Sequence, residues 1–190
     1  MTRIMYPKIY VGNINANGSF AKRMQNIKFA TDKHTVSLYQ KLEAQGITAR
    51  KLGRHSEKIL FFFHGNAQDI TSPQLLEFCS GVINKDSLNC SVWLFEYPME
   101  KYTQNPTQPL YVSEQEVVKK AKLFVQTVIE GEVPRHVIFS GYSLGTAVAA
   151  AVADRDSPQV SQCHVVLIAP LSSAINVVLT KKSAWIGGLA

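Results

Sequence analysis

Gly141-Tyr142-Ser143-Leu144-Gly145 is a G-x-S-x-G pattern. The strand-like HVIFS precedes it directly, and the small-residue run TAVAAAVA follows it. The serine therefore falls where a strand turns into a helix, the context that a serine nucleophile requires. Such a serine must project from a very sharp, strained turn. Glycines two before and two after it let strand and helix pass without a Cβ clash. The helix N-terminus then offers free N–H groups and a positive dipole end to a developing oxyanion. Ser143 is the candidate nucleophile, and the Leu144 N–H is one candidate oxyanion donor.

An oxyanion hole needs a second backbone donor, from the loop after an earlier strand. FFFHGNAQDI, at 61–70, has the right form. Three phenylalanines end on His64, Gly65 and Asn66. Gly65 lets the loop turn inward, and the Asn66 N–H is the candidate second donor. His64 reads as a residue that orders this loop rather than as a base.

The elements that must hold these residues follow from apolar patterning. KILFFF (58–63), SVWLFEY (91–97), HVIFS (136–140) and HVVLIAP (164–170) are apolar runs of strand length, as expected of strands buried on both faces. TVSLY (35–39) also reads as strand-like. SPQLLEFCSGVI, from 72, predicts a helix capped by Ser72 with Pro73 in its first position. SEQEVVKKAKLFVQTVIEG (113–131) predicts another, with Ser113 and Glu116 in capping-box spacing. LGTAVAAAVADRD predicts a third. Alternation of strands and helices implies βαβ crossovers and a mostly parallel sheet with helices on both faces. Chemistry in such sheets sits at the carboxyl ends of the strands, which is where His64 and Ser143 fall.

Bulk properties narrow the class. A chain of 190 residues suits one domain. It divides into an N-terminal extension or first strands at 1–26, containing the strand-like KIYVG, and a core at 27–190. No apolar run approaches bilayer length. Cys79, Cys90 and Cys163 are odd in number and lack CxxC spacing, so neither a disulfide framework nor a zinc site is expected. No metal or cofactor is called for, and an intracellular setting, cytoplasmic or at a membrane periphery, fits. The net charge of +6 is scattered, without a basic block interleaved with aromatics, so no nucleic-acid partner is expected. Residues 1–31 hold basic residues and no acids, which leaves organelle import open.

KILFFFHGNAQDI, CSVWLFEYP, FSGYSLGTAVAAAVA and CHVVLIAPLSSAINVV occur in the order and spacing of α/β-hydrolase fold serine hydrolases. Over about residues 27–178 the chain resembles the intracellular α/β-hydrolase domain-containing branch, which includes protein depalmitoylases and lipid esterases. The resemblance implies a three-layer α/β-hydrolase-type sheet. It also implies Ser143 as nucleophile, Asn66 and Leu144 as oxyanion donors, and an acyl ester or thioester substrate, small or lipid, with peripheral membrane contact. Two features depart from the family. Tyr97-Pro98-Met99-Glu100-Lys101-Tyr102 stands where the family has a Tyr-x-Gly-type turn. The family's acid and histidine follow two further strands, whereas after Ser143 this sequence has only Asp154, Asp156 and His164. Asp154 and Asp156 sit at the far end of the helix that leaves the elbow, and His164 starts a strand at the opposite rim.

The core therefore reads as truncated on its C-terminal side, with strand 164–169 an edge that further chain or a partner must cover. Two functions stay open: a serine hydrolase whose base lies beyond residue 190, or a catalytically incomplete binding or assembly module.

Overall fold

The computed structural model describes residues 3–5, 28–65, 68–83, 89–98, 111–153 and 162–170. Its elements in chain order are β1 (Arg3–Met5), α1 (Lys33–Ala44), β2 (Ala49–Leu52), β3 (Lys58–Phe63), α2 (Pro73–Ile83), β4 (Ser91–Phe95), β5 (Tyr111–Ser113), α3 (Glu114–Glu132), β6 (His136–Tyr142), α4 (Gly145–Val152) and β7 (Gln162–Ile168). Five strands form one sheet in the order β2-β4-β3-β6-β7. The pairs β4–β3, β3–β6 and β6–β7 are parallel, and β2 is antiparallel to β4. β1 and β5 form a separate antiparallel pair.

The continuous apolar run of β3 is explained by its two covered faces. Side chains alternate along a strand. Phe61 and Phe63 therefore join Leu38 and Leu42 of α1, Phe124 and Val128 of α3, and Val148 and Ala149 of α4. Leu60 and Phe62 join Leu75, Leu76 and Cys79 of α2 on the other face. Phe61 meets Phe124 edge-on at 5.4 Å and stacks on Phe139 at 5.6 Å. Burying one such ring contributes about 1.5–3 kcal/mol, so the middle strand anchors both layers. The expected mostly parallel sheet with helices on both faces is present.

Two local expectations need correction. TVSLY is not a strand but lies within α1. Asp32 caps that helix by accepting from the Thr35 N–H at 2.9 Å and the Thr35 hydroxyl at 2.7 Å. Thr35, Leu38 and Leu42 are its buried residues, so helical spacing of the burial overrides the local β-branched composition. Ser72 does not spend its hydroxyl on α2: its carbonyl accepts from Leu76 N–H at 3.0 Å, while the hydroxyl accepts from Asp69 N–H at 2.8 Å in the preceding turn. The short strand β2, ARKL, is an addition that its charged residues conceal. Strand limits also shift: β4 stops at Phe95, and β7 begins at Gln162. KIYVG lies outside the described residues. α3 starts as expected, with the Ser113 hydroxyl accepting from Glu116 N–H at 3.2 Å.

A buried ion pair joins β2 to the end of α3. Lys51 Nζ lies 2.7 Å from Glu132 Oε1, and both side chains are essentially inaccessible to solvent. The other carboxylate oxygen meets His55 Nδ1 at 2.7 Å, and the Lys51 ammonium sits 5.8 Å from the centre of the Trp93 ring. Glu132 and His55 precede β6 and β3, so this cluster lies at the amino ends of the parallel strands.

Two outcomes are expected. Glu132→Gln should lower stability by about 3–5 kcal/mol in denaturant titration, because it strands a buried ammonium. The double variant Lys51→Met with Glu132→Leu should recover most of that loss. At the α1 cap, the Thr35 N–H and hydroxyl hold the Asp32 carboxyl below its ordinary value of 3.8. A depressed folded-state value stabilises above the unfolded value and is lost as pH falls through the folded one. Asp32→Ala should thus cost about 1 kcal/mol near neutrality, and its deficit relative to the parent should shrink on acidification, read by thermal melts across the acid range.

Candidate active site

β6 runs through the sheet and delivers Ser143 at its carboxyl end. Ser143 has φ +52°, a left-handed conformation that is uncommon for a residue with a side chain. Its N–H is held by the Ile168 carbonyl at 3.0 Å, and its carbonyl accepts from the Thr146 N–H at 3.0 Å and hydroxyl at 2.6 Å. The turn is therefore fixed from β7 on one side and from α4 on the other. Leu144 is already right-handed helical, and its N–H belongs to the first-turn group that an α-helix leaves without internal partners.

The two glycines flanking the turn are there because nothing larger fits. A Cβ at Gly141 would overlap the Gly145 carbonyl and lie 2.6 Å from Thr146 N. A Cβ at Gly145 would overlap the Phe63 carbonyl and lie 2.7 Å from the His64 carbonyl oxygen. The start of α4 thus presses directly on the end of β3. Gly65 lies against the Tyr142 ring, where a Cβ would sit 3.0 Å from Cδ1. The structure brings together Ser143, Leu144, Gly141, Gly145, His64 and Gly65. Asn66 lies outside the described residues, as do Asp154 and Asp156.

His64 is buried at 2% exposure. Its Nδ1 is 2.9 Å from the Gly65 carbonyl, so that nitrogen carries a proton and donates. Nε2 is 3.4 Å from Glu96 Oε1 but not aligned for a hydrogen bond. Tyr97 packs its ring 4.4 Å from the imidazole and donates its hydroxyl to the His64 carbonyl at 2.6 Å. Glu96 Oε2 accepts from Ile70 N–H at 3.0 Å. Within the loop, Gly65 N–H donates to Gln68 Oε1 at 3.1 Å, and Gln68 N–H to the Gly65 carbonyl at 3.1 Å. At Asp69, burial pushes the carboxyl up, but bonds from Thr71 and Ser72 outweigh it and hold it below its ordinary value. Glu96 and Tyr97 are the contacts that sequence reading missed; the available signal was an acid and a tyrosine directly after a buried strand, at its carboxyl rim.

Beside the elbow lies a cavity of about 390 Å³ lined by Phe62, Gln68, Gln74, Leu75, Phe78, Tyr142 and Ile168. Its walls are mainly apolar, with two side-chain amides. Tyr142 is the neighbour of Ser143, and Ile168 holds the Ser143 N–H.

The other histidines lie away from Ser143. His136 opens β6, and His164 pairs with Ile138 in the lower half of that strand. His55 is bound to Glu132 at the opposite rim, with the His34 ring 6.4 Å away. Among the described residues no group of three or more His, Cys, Asp or Glu could hold a metal ion, and no helix is long and apolar enough to cross a membrane.

This architecture is the α/β-hydrolase type. Among solved structures, an esterase of Pyrococcus furiosus, Pf2001, superposes with TM-score 0.59 at 14% identity, covering 100% of this chain and 64% of its own. A second crystal form of it gives 0.58 at 13% identity, covering 96% and 62%. A hydrolase of Agrobacterium vitis S4, described as putative, gives 0.46 at 18% identity, covering 65% and 46%. The chain thus spans less than two thirds of each of these structures. No protein-family model matches the sequence, and no curated protein is significantly similar to it.

The turn geometry makes opposite demands at adjacent positions. Gly141→Ala and Gly145→Ala should each destabilise by more than about 3 kcal/mol, since backbone rather than a flexible side chain must yield. Ser143→Gly should instead stabilise by about 1 kcal/mol by relieving the left-handed strain, while Ser143→Ala keeps the strain and gains nothing comparable. Chemical denaturation of the four variants checks both signs.

Proposed function

We propose that this protein is a serine hydrolase of acyl esters or thioesters, with Ser143 as the nucleophile. The observation that carries the reading is the elbow. A strained serine at φ +52° stands between two glycines that admit no Cβ, at the carboxyl end of a parallel strand. Such strain persists only when the surroundings impose it, and it concentrates at functional sites. In the proposed reaction the Ser143 oxygen gives its proton to a base and bonds to the acyl carbon, the carbonyl electron pair moving onto oxygen. Collapse of that intermediate breaks the bond to the alcohol or thiol, which leaves with a proton, and water then releases the acid from the acyl-serine. The Leu144 N–H and the positive end of α4 stabilise the oxyanion, and the loop after His64 supplies the second donor, with Asn66 as its candidate. The largely apolar cavity beside Tyr142 supports an acyl substrate, lipid or lipidated protein included. The printed description of the similar Pyrococcus furiosus structure, an esterase, agrees with this class.

A serine needs a base to attack at neutral pH. All five histidines of the sequence are described, and none is placed to serve Ser143. His64, the nearest to the elbow along the rim, has Nδ1 engaged by Gly65 and Nε2 turned toward Glu96. The proposed reaction therefore takes its base from outside these residues. The same observation favours the second reading, a binding or assembly module that keeps the fold without the reaction.

A fluorophosphonate probe separates the two. Applied to the protein in its natural context, it should label Ser143, and Ser143→Ala should abolish labelling. On residues 1–190 alone, labelling should be slower by about 10³-fold or more, the scale on which removing triad members acts. Labelling that survives Ser143→Ala puts the nucleophile elsewhere. A natural-context protein that never reacts is the binding module.

A further inference from the structure

Two consecutive residues grip one loop at both of its ends. Tyr97 donates its hydroxyl to the His64 carbonyl at 2.6 Å, where the chain leaves β3. Glu96 accepts from the Ile70 N–H at 3.0 Å, where the same loop returns toward α2. The neighbours reach different ends because successive side chains of extended backbone point to opposite sides. Tyr97 is 5% exposed, and its ring is wedged between His64 at 4.4 Å and Phe95 at 5.7 Å. Its hydroxyl therefore has little freedom to leave the His64 carbonyl. Glu96 adds a carboxylate oxygen 3.4 Å from His64 Nε2, a buried polar atom without a hydrogen-bond partner among the described residues.

The gripped segment is the one on which the elbow rests. The Phe63 and His64 carbonyls face Gly145 with no space to spare, and Gly65 abuts Tyr142. A shift of the His64–Gly65 backbone by a fraction of an ångström must move the rim around Ser143 or open a gap beneath α4. Reaction rates are sensitive to displacements of this size.

We propose that Tyr97 and Glu96 are positioning residues, which set the height of the His64–Gly65 backbone against the Ser143 elbow. The proposal rests on the hydrolase reading for its catalytic consequence but not for its structural one. It also assigns a purpose to Glu96 and Tyr97, which directly follow β4 at its carboxyl end. The strand end at this point supplies two side-chain anchors.

The experiment uses Tyr97→Phe, which removes only the hydroxyl, together with Glu96→Ala and Glu96→Gln. Amide hydrogen exchange is followed in peptides spanning 60–70, with peptides from α3 and β6 as internal controls. Loss of one buried hydrogen bond should speed exchange in the loop peptides by up to about tenfold, with the controls unchanged. Glu96→Ala should do the same at the Ile70 end, and Glu96→Gln, which keeps an acceptor, should restore most of the protection. The rate of fluorophosphonate labelling of the natural-context protein should fall by a similar factor in Tyr97→Phe. Loop exchange that is unchanged in Tyr97→Phe overturns the proposal. Faster exchange everywhere also overturns it, since Tyr97 would then support the fold as a whole. If the parent protein is never labelled, the hydrolase reading falls, and the exchange pattern alone decides the role of Tyr97 and Glu96.

Discussion

The closest constraint in the molecule is the contact between the first residue of α4 and the last carbonyls of β3. No atom beyond the Cα of Gly145 fits beside the Phe63 and His64 oxygens. This contact requires β3 and β6 to be adjacent and parallel, so that one strand ends level with the start of the other's helix. It requires the chain to reverse within two residues, which drives Ser143 into the left-handed region. It also favours a helix of small side chains, because α4 must lie close on the sheet, and Val148, Ala149 and Val152 are buried there. The strain at Ser143 is thus a product of packing around it, and the aromatic core of Phe61, Phe63, Phe95 and Phe124 holds that packing in place.

The two ends of the sheet use polar groups differently. At the amino ends of the parallel strands, charge is neutralised in place: Lys51 and Glu132 satisfy one another, and His55 closes the remaining oxygen. At the carboxyl ends, polar groups are spent on holding backbone. The Tyr97 hydroxyl, Glu96 carboxylate and Gln68 amide all bond main-chain atoms of one loop.

Much of this is legible in the residues, for identifiable reasons. β3, β4 and β6 are readable because strands covered on both faces are apolar without interruption. β7 carries the same apolar run, but the expectation that it is buried on both faces fails, since Val165, Val166 and Leu167 are exposed along the edge of the described sheet. The elbow is readable because its glycines are imposed by backbone contact, which leaves no alternative residue. α1 misleads because Val36 and Tyr39 favour strands locally, whereas the spacing of Thr35, Leu38 and Leu42 and the Asp32 cap decide the outcome. β2 is hidden because its Lys51 is buried by pairing with a residue far along the chain. Glu96 and Tyr97 stand in a readable place, directly after a buried strand, but what they hold escapes notice because their partners are main-chain atoms, which leave no signature in a sequence.

The order of strands in the sheet differs from their order in the chain, and this bears on synthesis. β3, the most aromatic strand, is translated before either of its parallel neighbours. β4 arrives on one side after α2, and β6 arrives on the other only after the whole of α3 has been made. Until then a nascent chain carries KILFFF with one edge unpaired. β7 follows later still, with Val165, Val166 and Leu167 each more than two-fifths exposed in the folded sheet. A chain elongated only to a point between residues 63 and 136 therefore presents that edge before its parallel partner β6 exists to cover it.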